Sequence, residues 1–181
     1  MIASMGVPNA FAVGRKGAGT VVVSEELLTR LESREVEGVL AHELAHIANR
    51  DVVMIVLGQG VASIVAIVAQ WAVLLTGDND IADFFLAIVV GQITQMLVMV
   101  FVFAISRYRE YVADSDAAGA IGGGEPLARA LEKISSANER REDTEIDSQV
   151  NALCIFGEKG GIAKLFATHP PIETRIERLR A

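Results

Sequence analysis

The chain has 181 residues, 16 of them basic and 23 acidic, for a net charge of −7, and a single cysteine. That length suits one compact domain, the acidic balance argues against nucleic acid as a partner, and lone Cys154 rules out an intrachain disulfide and fits a reducing compartment. Residues are 51% hydrophobic and mean hydropathy is positive, so apolar residues must be concentrated somewhere along the chain.

Met1 to Ala10 has neither a basic start nor a long apolar stretch, so it does not read as a signal peptide. Ala18 to Val23 is rich in valine and predicts a short strand. Ser24 caps a following helix, with Glu25 and Glu26 in its first turn. A second helix is expected from about Arg34 to Asn49, with Val36, Leu40, Leu44 and Ile47 forming one apolar stripe at helical spacing.

Two uncharged stretches then account for the hydrophobicity. Residues 52–76 and 84–106 carry no Asp, Glu, Lys or Arg, and each is long enough for a helix across a bilayer core. The short linker between them, Gly77-Asp78-Asn79-Asp80, turns the chain back as a hairpin. Gln59, Gln70, Gln92 and Gln95 lie inside these spans, where polar side chains usually face other helices. Asp78, Asp80 and Asp83 mark the tip, and Arg50, Arg107 and Arg109 mark the other ends. The excess of basic residues places both polar segments on the cytoplasmic side.

The second span is expected to run on through Arg107 to about Ala118, broken by Gly119 and Gly122-Gly123-Gly124. Leu127 to Ile134 reads as an amphipathic helix, Asn138 to Gln149 as a polar loop and Val150 to Phe156 as a strand. Cys154 reads as core packing within that strand. His169-Pro170-Pro171 turns the chain into a terminal helix, Ile172 to Leu179.

The sharpest chemical signal is His42-Glu43-Leu44-Ala45-His46. Helical positions four apart share one face, so both imidazoles can reach one metal ion, while Glu43 can approach a metal-bound water without binding the metal. This is the arrangement of a zinc protease helix. Zinc at a catalytic site takes three protein ligands and leaves the fourth position open. A third histidine six residues after the second is excluded, because Val52 stands there and Asn49 replaces the expected glycine. The remaining candidates are His169 and the carboxylates beyond the second span. Glu110 and Asp114 lie four apart on one helix face that the hairpin returns toward the first helix. Glu110 would ligate zinc and Asp114 would orient a ligand imidazole. The competing reading is an ordinary acidic face paired with Arg107 or Arg109.

His-Glu-Leu-Ala-His-Ile-Ala-Asn-Arg-Asp at 42–51, Arg-Tyr-Arg-Glu-Tyr-Val-Ala-Asp at 107–114, Thr-His-Pro-Pro at 168–171 and Pro-Asn-Ala-Phe-Ala-Val-Gly at 8–14 together resemble the HtpX family. These are heat-shock-associated, membrane-bound zinc metalloproteases of prokaryotes, related to CAAX-processing proteases. The resemblance spans nearly the whole chain and implies His42, His46 and Glu110 as ligands of one zinc ion, with Glu43 as the catalytic carboxylate. The implied fold class is mainly α with a small β component, a gluzincin-like protease domain over 1–181 interrupted by the transmembrane hairpin. Family members usually begin with two further transmembrane helices and a short strand. This chain starts almost at the Pro-Asn-Ala-Phe-Ala segment, which implies a truncated form, a fragment or a short natural variant.

His169, the remaining histidine and part of the family-like Thr-His-Pro-Pro, is a candidate donor to the oxyanion; the alternative is a surface histidine in a proline turn. Arg175 reads as a solvated helix charge. Asn9 to Val13 has the composition of an edge segment able to pair with a substrate backbone. The expected function is zinc-dependent cleavage of unfolded or misfolded polypeptides, with the protein multi-pass in the cell (inner) membrane and its site facing the cytoplasm. The partners are then polypeptide substrates and the lipid bilayer, with the oligomeric state left open. The rival readings are an inactive protease-like membrane scaffold and a zinc transporter. A transporter would place its site near mid-membrane, whereas this motif precedes the span.

Overall fold

The computed structural model describes residues 1–15, 17–77, 80–139 and 169–181. Three strands, β1 (Ile2–Ala3), β2 (Ala10–Arg15) and β3 (Ala18–Ser24), form a small sheet in the order β1-β3-β2. β2 and β3 are an antiparallel pair running in register from Ala10 opposite Val23 to Arg15 opposite Ala18. Their turn depends on glycine. Gly14 has φ +117°, and a Cβ there would meet the Ala18 carbonyl oxygen at 2.5 Å. With β3 central, β2 has one edge unpaired among the described residues.

Ser24 ends β3 and caps α1 (Glu25–Arg30), its Oγ accepting from Leu27 N–H at 3.1 Å. Helix α2 (Ser33–Asn49) begins where the Glu32 N–H donates to the Glu35 carboxylate at 2.8 Å. The core cluster joins Leu27, Val39, Leu127, Leu131 and Ile134, with Val36 and Leu40 packed against it. Gly38 lets α2 come this close, since a Cβ there would sit 3.0 Å from the Leu127 backbone.

The apolar stripe located α2 but only part of its inward face, through Val36 and Leu40. Leu44 is 54% exposed, whereas Glu35, Gly38, Val39, His42, Glu43 and Ala45 are buried. The helix turns polar residues inward because charged partners wait for them there.

Arg50, in the left-handed region at φ +57°, ends α2 and starts α3 (Asp51–Thr76). Helix α4 (Ile81–Ile121) follows the hairpin and runs unbroken for 41 residues, about 60 Å at helical rise. Gly119 sits within it rather than ending it, and Gly122, at φ +79°, forms the C-cap. The two helices pack through small residues. Ala62, Ala66, Ala87 and Gly91 are buried, Gly58 faces Val102, and Gly91 leaves room for Gln70. Gln95 is half-buried, whereas Gln59 and Gln92 are exposed. Both helices are long and apolar enough to cross a membrane, and only 11% and 6% of their most apolar windows are buried within the protein.

Helix α5 (Glu125–Glu139) and a terminal helix α6 (Ile172–Arg180) complete the fold. α5 extends past the expected Ile134 and takes in the first two positions of the expected Asn138–Gln149 loop. The rest of that loop, the Val150–Phe156 strand, Cys154 and Thr168 lie outside the described residues.

Candidate metal centre

His42 and His46 project from the inner side of α2 with their rings edge to face, centroids 4.5 Å apart and planes at 88°. Their Nε2 atoms lie 3.0 Å apart. Glu110 arrives from α4, with Oε2 3.5 Å from His42 Nε2 and Oε1 3.4 Å from His46 Nε2. The ligand atoms of these three residues all fall within 4.8 Å of one another. Four ligands about 2.0–2.1 Å from a tetrahedral zinc are spaced by roughly 3.3 Å, so the trio fits such an ion.

Two further observations agree with that fit. Glu110 Oε2 is buried and makes no hydrogen bond among the described residues. The cluster also carries four buried carboxylates (Glu43, Asp51, Glu110, Asp114) against two guanidiniums (Arg109, Arg175). With neutral imidazoles that leaves two negative charges, the amount a divalent cation offsets, and buried charge is tolerable only when compensated.

The outward nitrogens are anchored separately. Asp114 Oδ1 lies 3.0 Å from His42 Nδ1, the orienting contact expected of Asp114. The second orienting carboxylate, Asp51, was not evident in the sequence. Its Oδ2 lies 2.5 Å from His46 Nδ1. Asp51 is five residues beyond His46, across the break at Arg50, where helical spacing no longer indicates which residues meet.

Electrostatics follow from this packing in the metal-free protein. Burial alone would lower the His46 imidazole, but the Asp51 and Glu110 carboxylates outweigh it and hold it up at about 10. Burial opposes protonation of His42 as well, and Asp114 and Glu110 again prevail and raise it. Glu43 is pushed above the ordinary carboxyl range by burial, with the two imidazoles pulling against that shift.

Arg175 corrects the sequence reading of a solvated charge. It is 1% exposed, donates to Asp114 through Nε at 2.8 Å and Nη2 at 2.6 Å, and places Nη1 3.1 Å from Glu110 Oε2. No apolar period announces this burial; only the Glu110–Asp114 spacing on the other helix signals a need for a cation. His169 stands at the start of α6 with Nδ1 3.0 Å from Glu110 Oε1, without hydrogen-bond alignment. Glu43 is buried beside the two histidines. A cavity of about 350 Å³ opens next to His46 between β2 and the α2–α3 corner, lined in part by Ala12, Gly14, Ile47, Val52 and Val53.

The sequence model of Peptidase family M48 matches residues 1–181. A Protease HtpX homolog of Halobacterium salinarum is 62% identical over 201 residues, covering 99% of this chain and 70% of that protein. One from Methanopyrus kandleri is 38% identical over 179 residues, covering 97% of this chain and 56% of that one. This chain therefore spans 56% to 70% of the length of these two relatives. Among solved structures, the crystal structure of S. mikatae Ste24p matches with a TM-score of 0.63 at 17% identity, over 96% of this chain and 42% of that one. At that identity the likeness speaks for the fold alone.

Proposed function

The chain belongs to peptidase family M48, as a homologue of the HtpX proteases, and from that premise we propose that it is a membrane-anchored, zinc-dependent endopeptidase acting on unfolded or misfolded polypeptides. The observation that carries this reading is the convergence of His42, His46 and Glu110 donor atoms within 4.8 Å, with Glu43 buried alongside.

His42, His46 and Glu110 would hold the ion. Bound there, zinc would lower the pKa of a water to about 7 and polarise the scissile carbonyl. Glu43 takes the proton of the attacking water and passes it to the leaving amine, and its raised affinity for protons suits that exchange. His169, with Nδ1 3.0 Å from Glu110 Oε1, is the candidate to donate a ring N–H to the substrate oxygen as charge builds there. Arg175 holds Glu110 and Asp114 as anions and keeps both side chains in place.

The free edge of β2 supports binding of an extended substrate by its main chain. Such binding reads few side chains, which favours broad specificity and a role in membrane protein quality control. Glu110 lies only four residues past Ser106, the end of the uncharged stretch, about 6 Å along the helix. That distance keeps the site at the membrane surface rather than at mid-membrane. Arg50 and Arg107 flank that end of the hairpin while Asp80 and Asp83 mark the tip, so the site faces the cytoplasm of a multi-pass cell-membrane protein.

The test is cleavage of casein by the purified chain in detergent with zinc. The reading expects cleavage that a chelator abolishes and that Glu43→Gln lacks. Equal cleavage by parent and Glu43→Gln would assign the chemistry elsewhere. No cleavage by a folded, zinc-loaded parent would favour an inactive scaffold.

A further inference from the structure

Asp51 joins three parts of the protein at one point. It is the first residue of α3, its Oδ2 lies 2.5 Å from His46 Nδ1 on α2, and its Oδ1 accepts from Arg109 Nε on α4. Arg109 Nη2 also donates to the Asn49 carbonyl at 2.7 Å, which pins the corner where α2 ends. Asp51 is buried.

This meeting depends on the break at Arg50. In an unbroken helix, residues five apart point roughly 140° away from each other around the axis. The left-handed Arg50, at φ +57°, swings Asp51 back beside His46. That conformation is strained for a residue with a Cβ; the Arg50 N–H bonded back to Ile47 O at 3.2 Å and the contacts of Asp51 and Arg109 help to hold it. Arg109 directly precedes Glu110. One turn of the returning membrane helix thus delivers one metal donor and clamps the carboxylate that orients another.

We propose that Asp51, held by Arg109, is a positioning residue that aims His46 Nε2 at the metal, so that the returning membrane helix helps set the metal site. The inference rests on the reading of His42, His46 and Glu110 as the metal-binding trio. An acceptor on the outer nitrogen of a ligating histidine fixes its tautomer and ring angle, and losing such a partner costs metal affinity.

The test reads zinc affinity rather than activity, by competition with a chromophoric chelator on the full chain in detergent, with thermal unfolding as the check on folding. Asp51→Asn offers one acceptor oxygen to two donors, His46 and Arg109. It is expected to weaken zinc binding about 10–100-fold. Arg109→Gln weakens it by a smaller factor, Arg109→Lys restores part of that, and Arg109→Gln adds nothing in the Asp51→Asn background, because both act through one contact. Asp116→Asn is the control. Asp116 accepts from Asn49 Nδ2 at 2.8 Å at the same corner without touching His46, so its loss should leave zinc affinity within about twofold.

Folded Asp51→Asn binding zinc as tightly as the parent would overturn the proposal, as would equal weakening by Asp116→Asn. Should Asp51→Asn fail to fold, the Arg109 variants decide by the same measure, and an unchanged affinity in Arg109→Gln counts against it. A folded parent that binds no zinc overturns both this proposal and the metalloprotease reading, whereas tight binding in the parent and in every variant overturns this proposal alone.

Discussion

Along the first half of α4, Phe84, Phe85, Leu86, Ile93 and Leu97 are exposed and no side chain from 84 to 106 is charged. Along its second half Glu110 and Asp114 are each only 4% exposed. One continuous helix therefore places apolar side chains outward over one stretch and charged ones inward over the next. Large exposed apolar surfaces are stable only when something apolar covers them, and buried carboxylates only when they are paired. On the proposed reading lipid would cover the first half, and the second is paired with Arg175 and the histidines, with the proposed cation completing the balance.

The comparison breaks most sharply at Arg175. Replacing it by methionine leaves Glu110 and Asp114 without their buried cation, and the loss of one member of such a cluster costs about 3–5 kcal/mol. Chemical unfolding in detergent should record that loss. A change below about 1 kcal/mol would mean that the network carries little of the fold.

In the other half the same chemistry is reversed. Leu97→Arg puts a charge near the middle of the second span, where insertion is expected to lose about 2.5–3.5 kcal/mol. Carbonate extraction of membranes should show a reduced inserted fraction. Unchanged insertion would contradict a bilayer-facing hairpin.

Smaller effects sharpen the picture around the site. Gly38→Val would push a side chain against the Leu127 backbone, and overpacking of this kind costs about 1–3 kcal/mol. Thermal unfolding checks it, and an unchanged midpoint would show that α2 and α5 can separate freely.

The pH dependence of metal binding has a definite sign. His46 in the metal-free fold sits near 10, above its ordinary 6.5, and His42 is also raised. Their ion pairing therefore stabilises the metal-free protein fully below about 6.5, and that contribution fades as pH climbs toward 10. Zinc needs both nitrogens deprotonated, so affinity rises with pH over the same window and binding releases protons. Titration calorimetry at pH 7 in buffers of different ionisation enthalpy should show net proton release. A buffer-independent heat would contradict protonated imidazoles in the metal-free site.

Much of this arrangement was legible in the sequence because its signals are local or chemically rare. His42 and His46 share a helix face by spacing alone. The hairpin follows from two long uncharged runs, and Ser24 announces its helix by capping chemistry. Spacing put Glu110 and Asp114 on one face of α4 and left an ordinary acidic face as the alternative; the family resemblance singled out Glu110 as a ligand, and Asp114 does meet His42.

Other features were not legible, for physical reasons. Leu44 looked like core, but the buried face of α2 is turned by partners 60 residues or more away, such as Glu110 and Asp114. Arg175 carries no apolar pattern and is buried only because α6 brings it onto those two carboxylates. Asp51 meets His46 through a left-handed Arg50, a conformation that residue type does not forecast. The small sheet gained β1, a two-residue strand too short for any periodicity.

The most direct measurement of the central claim separates holding the metal from using it. Zinc content and casein cleavage would be compared for the parent, Glu110→Gln and Glu43→Gln, each purified in detergent. The account predicts one zinc per parent chain, loss of zinc and cleavage together in Glu110→Gln, and zinc retained with cleavage lost in Glu43→Gln. A Glu110→Gln chain that keeps its zinc, or a zinc-loaded Glu43→Gln chain that still cleaves, would contradict it.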